Sequence, residues 1–395
     1  VPRSLETERR PLLEAVSLSL APAVALGIAR FSYALLLPPM KATLGWSYAQ
    51  AGALNTANAA GYLLGALAYP TLARRLRPGA LVWSGCAGAT GAMMAAGFTD
   101  SFGMLVSVRL ACGLCSALIF VGGGVLAARL ATRYPARSGL VLGIYYGGTG
   151  WGIVVSALLV PWFAGAASGQ WHAAWIALGV ACLVLAAGLW PALRQGASHA
   201  EQMSLAAAAP APRLVLMTPL LAAYALFGVG YIGYMTFVIE LLRNAGLPVA
   251  GITAFYVLLG LATTLSGKLW SGVLDRARAG GAFALFCLLL AAATLLPALA
   301  AAPVAAFFSG LLFGATFLAV VTSTTAFVRH NLPRARWSIG ISLFTVAFAL
   351  GQIIGPVAMG LVSDGTSLSR GFAGSAALLL LGALLALGQR PLARV

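Results

Sequence analysis

The chain is short of charge. Only 8% of its 395 residues are charged, and just eight are acidic. A soluble domain carries about 25% charged residues. With 61% hydrophobic residues, this chain has too little polar surface to face water on all sides. It reads as an integral membrane protein. Its net charge of +16 sits between apolar runs, a pattern of membrane topology rather than of a nucleic-acid-binding face. Histidine is scarcer still. His172, His199 and His330 fall in loops or at span ends. No H-E-x-x-H, no G-x-S-x-G and no nucleotide-binding phosphate loop occurs. An intramembrane hydrolase needs a base beside its nucleophile, so neither an enzyme nor ATP-driven transport is expected. The five cysteines, Cys86, Cys112, Cys115, Cys182 and Cys287, all lie in apolar runs. Cys112 and Cys115 form a lone C-x-x-C, two ligands short of a structural zinc site. No metal and no cofactor is expected, and no cleavable signal peptide is predicted.

What the chain has in quantity is hydrocarbon. A helix crosses a bilayer with about 20 apolar residues. Apolar runs between charged or Pro/Gly breaks give twelve spans, near 14–40, 48–72, 79–98, 101–128, 138–164, 171–193, 215–242, 248–273, 281–300, 303–328, 336–362 and 370–389. Eighteen of the 24 Lys and Arg residues fall on one side. They are Arg3, Arg9, Arg10, Arg74, Arg75, Arg77, Arg129, Arg133, Arg137, Arg194, Arg213, Arg276, Arg278, Arg329, Arg334, Arg336, Arg390 and Arg394. Lys41, Arg243 and Arg370 fall on the other. The positive-inside rule then predicts both termini in the cytoplasm. The stretch 194–214 is polar, then rich in Ala and Pro, and reads as a flexible linker. It divides a six-helix bundle at 1–193 from another at 215–395.

The two bundles repeat each other at an offset of 201 residues. Arg75 falls on Arg276, Gly79 on Gly280, Gly113 on Gly314, Arg133 on Arg334, Gly139 on Gly340 and Gly150 on Gly351. "GIARFSY" (27–33) falls on "GVGYIGY" (228–234). Two pseudo-symmetric six-helix bundles, all α, are the architecture of the major facilitator superfamily.

Local motifs carry the same resemblance. "SGVLDRAR" (271–278) resembles that superfamily's loop signature, with Asp275 and Arg276 in the acidic and basic places. "LARRLRP" (72–78) departs from it: Arg74 stands where the aspartate is expected, beside Arg75. "RLACGLCSA" (109–117) resembles the Arg-x-x-x-Gly motif of proton-linked members, and "GQIIGPVAMG" (351–360) a helix-bending motif. "GIARFSYALLLPPM" and "LNTANAAGYLLGA" (54–66) resemble the opening of the bacterial YbfB/YjiJ-type subfamily. The resemblance implies a monomeric, multi-pass transporter of the bacterial inner membrane. It also implies halves that rock about a midplane site, with spans 1, 4, 7 and 10 lining it.

Three cations lie inside spans: Arg30, Arg109 and Lys268. Lys268 is near a span end and is expected to snorkel to the interface. Arg30 and Arg109 fall at similar depth, where a charge costs several kcal/mol or more. None of the eight acids is placed at mid-membrane; Glu240, the nearest, is followed by Arg243 at i+3. A guanidinium grips a carboxylate in a two-pronged fork. The expected cargo is therefore a small organic anion met by Arg30 and Arg109. Tyr33, Asn55, Asn58, Tyr231, Tyr234 and Gln352 are expected to read its polar groups, and Trp151 to pack its apolar part. Arg75, Asp275 and Arg276 are expected to gate. Glu240 is the candidate for proton coupling; exchange against a second anion needs no carboxylate. The competing expectation is a proton-linked exporter of hydrophobic drugs or cations, which the Arg109 motif favours.

Overall fold

In a computed structural model the chain is helical, with no strand among the described residues. These are residues 2–164, 170–195, 214–300, 302–333 and 336–392. Most of the expected linker, with His199, Glu201 and Arg213, lies outside them, as do Arg334 and Arg394. So do the side chains of residues 2–11.

Among the described residues, twelve long helices follow one another. They are α1, crossing at Leu12–Leu44, then α2 (Tyr48–Leu72), α3 (Pro78–Ala96), α4 (Phe102–Arg133), α5 (Ser138–Ala164) and α6 (Trp171–Gln195). The second set is α7 (Thr218–Asn244), α8 (Val249–Leu269), α9 (Gly281–Leu299), α10 (Pro303–Asn331), α11 (Trp337–Gly365) and α12 (Leu368–Leu387). Ten are long and apolar enough to span a bilayer on hydropathy alone. The other two, α2 and α3, have the length but are richer in polar and small residues, such as Gln50, Asn55 and Asn58 in α2. Their ends follow local chemistry. Pro78 opens α3 and Pro303 opens α10, where the missing N–H costs nothing. Gly45 closes α1 at φ 65°, a left-handed position that favours glycine.

The chain forms two compact units. The first holds residues 1–45 and 57–198; the second holds 46–56 and 199–395. Their internal packing repeats. In the first, α1 packs on α5 and α6, and α3 on α4 and α6; in the second, α7 packs on α11 and α12, and α9 on α10 and α12. Glycines repeat too. A Cβ on Gly113 of α4 would overlap the Asn58 carbonyl of α2, and one on Gly314 of α10 the Leu259 carbonyl of α8. Both pairs keep the offset of 201. At α5 the register slips: Gly152, not Gly150, takes the place of Gly351, each against a glycine of α1 or α7.

The opening turns of α2 belong to the second unit. The Asp364 carboxylate, at the end of α11, accepts the backbone N–H groups of Tyr48 (2.7 Å) and Ala49 (2.9 Å). Further along, Thr56 donates to the Ile353 carbonyl at 2.7 Å. An anion at a helix start satisfies orphan donors and meets the positive end of the dipole. Asp364→Ala is expected to lower stability by about 1–2 kcal/mol, the usual cost of a lost cap. Asp364→Asn should keep only part of it, because its amide nitrogen cannot accept the second N–H. Denaturation in detergent measures both.

Candidate functional site

Helix α1 is not uniform. It is α-helical to Pro22, π-helical over Ala23–Phe31, and α-helical again from Tyr33. Such wide turns are rare and concentrate at functional sites. Arg30 leaves the helix in the last turn of that stretch and is 3% exposed. Its guanidinium carbon stands 5.8 Å from the centre of the Tyr62 ring on α2.

Arg109, on α4, is 1% exposed. Its guanidinium stands 5.0 Å from the Tyr33 ring and 5.6 Å from the Trp175 ring. Those rings are stacked at 26°. A cation held over aromatic faces away from water gains about 2 kcal/mol per contact. Trp175 is fixed in turn by an N–H bond to the Met40 sulfur at 3.4 Å. Nη1 of Arg109 donates to the Ala29 carbonyl at 2.7 Å. Arg109 therefore grips the peptide just ahead of Arg30. Asn58, fully buried on α2, donates to the Arg109 carbonyl at 3.2 Å. The first unit thus gathers Arg30, Arg109, Tyr33, Asn58, Tyr62 and Trp175 through successive contacts. Of its described carboxylates, Glu14 lies 3.9 Å from Arg133, and Asp100 lies 2.9 Å from His172.

Other expected site residues lie elsewhere. Asn55 and Asn58 share a helix but not a task. Asn55 donates to the Thr236 hydroxyl of α7 at 2.7 Å, inside the second unit. That is an interhelical bond of the kind that holds membrane helices together. Tyr234 is fully buried, and its ring stacks on Phe313 at 3.9 Å. Ser309 donates its own hydrogen to the Ala293 carbonyl (2.6 Å), so the Tyr234 hydroxyl, 2.7 Å away, donates to Ser309. Tyr231, the repeat mate of Arg30, clusters with the rings of Phe227 (4.8 Å) and Phe348 (5.4 Å). Where the first unit has a buried cation, the second has an aromatic stack. Gln352 and Glu240 are buried at 2% and 6% exposure, whereas Trp151 is 52% exposed. Arg75, Asp275, Arg276 and Lys268 are exposed, and Arg276 donates to the Gly272 carbonyl in its own segment between α8 and α9.

Trp175 and the π-helical stretch were invisible in sequence. An indole in an apolar run reads as packing, and a π turn has no residue signature. Tyr62 is the exception. It stands at i+7 from Asn55 and i+4 from Asn58, on the face those residues mark.

The family described as "Uncharacterised MFS-type transporter YbfB" matches residues 22–387. The chain belongs to this family. It is a polytopic transporter of the major facilitator superfamily, acting on a small-molecule substrate. The transporter is similar in structure to a point mutant of the nucleoside transporter NupG. There the TM-score is 0.72 at 14% identity, over 95% of this chain and 99% of that one. It is likewise similar to a bacterial homologue of the human lysosomal transporter Spinster, inward-facing and unoccupied. That TM-score is 0.71 at 16% identity, over 96% of this chain and 98% of that one. At such identities the likeness is one of fold. No curated protein matches the transporter in sequence.

Proposed function

We propose that the transporter moves a small organic anion by alternating access, with Arg30 as its cationic contact and Tyr62 and Asn58 beside it. One observation carries this reading. Two guanidiniums, 3% and 1% exposed, lie in contact with the same turn of α1 among aromatic rings. Burying cations in a membrane is costly, and a carboxylate or sulfonate arriving there gains charge-assisted hydrogen bonds in a poorly screened setting. We place both termini in the cytoplasm of a bacterial inner membrane, on the arginine distribution. The buried Glu240 of α7 favours a second reading, proton-linked export of hydrophobic cations.

A thermal-shift screen on detergent-purified protein separates the two. The probes are acetate, succinate, benzoate, methanesulfonate and tetraphenylphosphonium. A ligand at 100 times its Kd stabilises the folded state by about 2.7 kcal/mol. One anion class is expected to raise the melting temperature in proportion to its concentration. Stabilisation by tetraphenylphosphonium alone would overturn the anion reading and turn attention to Glu240.

A further inference from the structure

The repeat gives an internal ruler for α1. Gly27 and Gly228 are repeat mates, and each packs against a partner glycine: Gly152 on α5 and Gly351 on α11. The partner glycine also meets a carbonyl upstream. In the first unit this is Ala23, four residues before Gly27; in the second it is Ala225, three residues before Gly228. One extra residue therefore sits in α1 between equivalent anchor points. Helix α7 is α-helical throughout Thr218–Asn244, whereas Ala23–Phe31 is π-helical. The wide turns are where the extra residue is housed.

A return from i→i+5 to i→i+4 bonding skips one carbonyl, which then needs another donor. The π stretch ends at Phe31, and Ala29 lies in its last turn. Ala29 accepts from Arg109 Nη1 at 2.7 Å and is approached by the Cys112 thiol at 3.7 Å. Upstream, α1 is anchored independently. Ser17 donates to the Gly188 carbonyl of α6 at 2.7 Å, and Gly148 of α5 lies against the Ser19 carbonyl. Arg30 follows both the extra residue and the gripped carbonyl.

We propose that Arg109 is a positioning residue: by holding the Ala29 carbonyl it maintains a one-residue π insertion peculiar to α1, and that insertion sets the direction in which Arg30 leaves the helix. Loss of the insertion would turn Arg30 by about 100° and move it by about 1.5 Å relative to the anchored upstream turns. The Arg30 to Tyr62 contact does not survive such a rotation. This holds whatever Arg30 binds, so it stands or falls apart from the anion reading.

The test is structural. Arg109→Met fills the space but offers no donor; Arg109→Lys keeps a charged donor. Structures of both variants, resolved well enough to show carbonyl directions, read the register directly. In Arg109→Met, residues 23–31 are expected to be α-helical with Arg30 turned away from Tyr62. In Arg109→Lys, the π stretch is expected to persist with Nζ on the Ala29 carbonyl. A π stretch unchanged in Arg109→Met overturns the proposal. Should that variant fail to fold, deletion of Ala25 decides. Removing the extra residue is expected to release Arg109 from Ala29 and Arg30 from Tyr62; an Arg109–Ala29 bond that survives the deletion overturns the proposal.

Discussion

Arg30→Ala is expected to weaken binding of the anion that stabilises the wild type by about 100-fold, while leaving the melting temperature of the unliganded protein unchanged or higher. The two halves of that result come from one cause. A charge-assisted bond to the ligand is worth about 1.5–3 kcal/mol, and 1.4 kcal/mol is a factor of ten. Keeping a guanidinium at 3% exposure meanwhile carries a desolvation cost that offsets the contacts it makes with its neighbours. Alanine removes both the benefit and the cost. Arg30→Lys should fall between, about 10-fold weaker, since an ammonium is a point charge without the planar fork. Titration of the stabilising anion by isothermal calorimetry, beside a melting curve without ligand, gives the two numbers. The opposite pattern, with stability lost and anion binding intact, would make Arg30 a structural residue and end its role as ligand contact.

The second large effect is expected at the seam of α2 and α4. Gly61 and Gly113 face each other's helices so closely that neither tolerates a side chain. A Cβ on Gly61 would overlap the Leu110 carbonyl, and one on Gly113 the Asn58 carbonyl. Gly65 continues the stripe, with a Cβ only 2.5 Å from the Leu114 carbonyl. Membrane helices associate through such small-residue contacts, because lipid supplies no hydrophobic drive between them. The neighbours here are backbone atoms, which cannot turn aside as a side chain can. Gly113→Ala should destabilise the first unit by about 3 kcal/mol or more, the upper range for overpacking. Gly143 on α5, with nothing within 4 Å of its Cβ direction, is the control: Gly143→Ala should change stability by under about 0.5 kcal/mol. Equal melting temperatures for Gly113→Ala and Gly143→Ala would refute the close packing. The effect also reaches the site. Asn58 both borders Gly113 and donates to the Arg109 carbonyl, so moving α2 outward loosens the shell around Arg30.

Particular residues mark how far the sequence reaches. The repeat is legible because glycines at helix seams are required wherever they occur, and Gly113 and Gly314 keep the spacing of 201 in packing as well as in order. The same logic misplaces Gly150, since a slip of two residues within an apolar helix leaves composition unchanged; Gly152 makes the contact. Asn55 and Asn58 share helical spacing, but spacing says nothing of which neighbour each meets. One bonds Thr236 and the other the Arg109 carbonyl. Tyr234 reads as a polar group offered to a ligand, yet the direction of the Ser309 hydrogen bond commits its hydroxyl to the core.

By itself the sequence determined the solvent, the number of spans, the twofold repeat and the buried arginines, because a bilayer responds to apolar length and to charge, and both are local properties of the chain. Only the tertiary structure decided that the two arginines differ. Arg109 donates to the Ala29 carbonyl, and Arg30 stands beside the Tyr62 ring. In the proposal made above, that division depends on one extra residue between two anchored points of α1. An insertion of this kind is defined by packing against α4, α5 and α6, not by any residue in the turn itself.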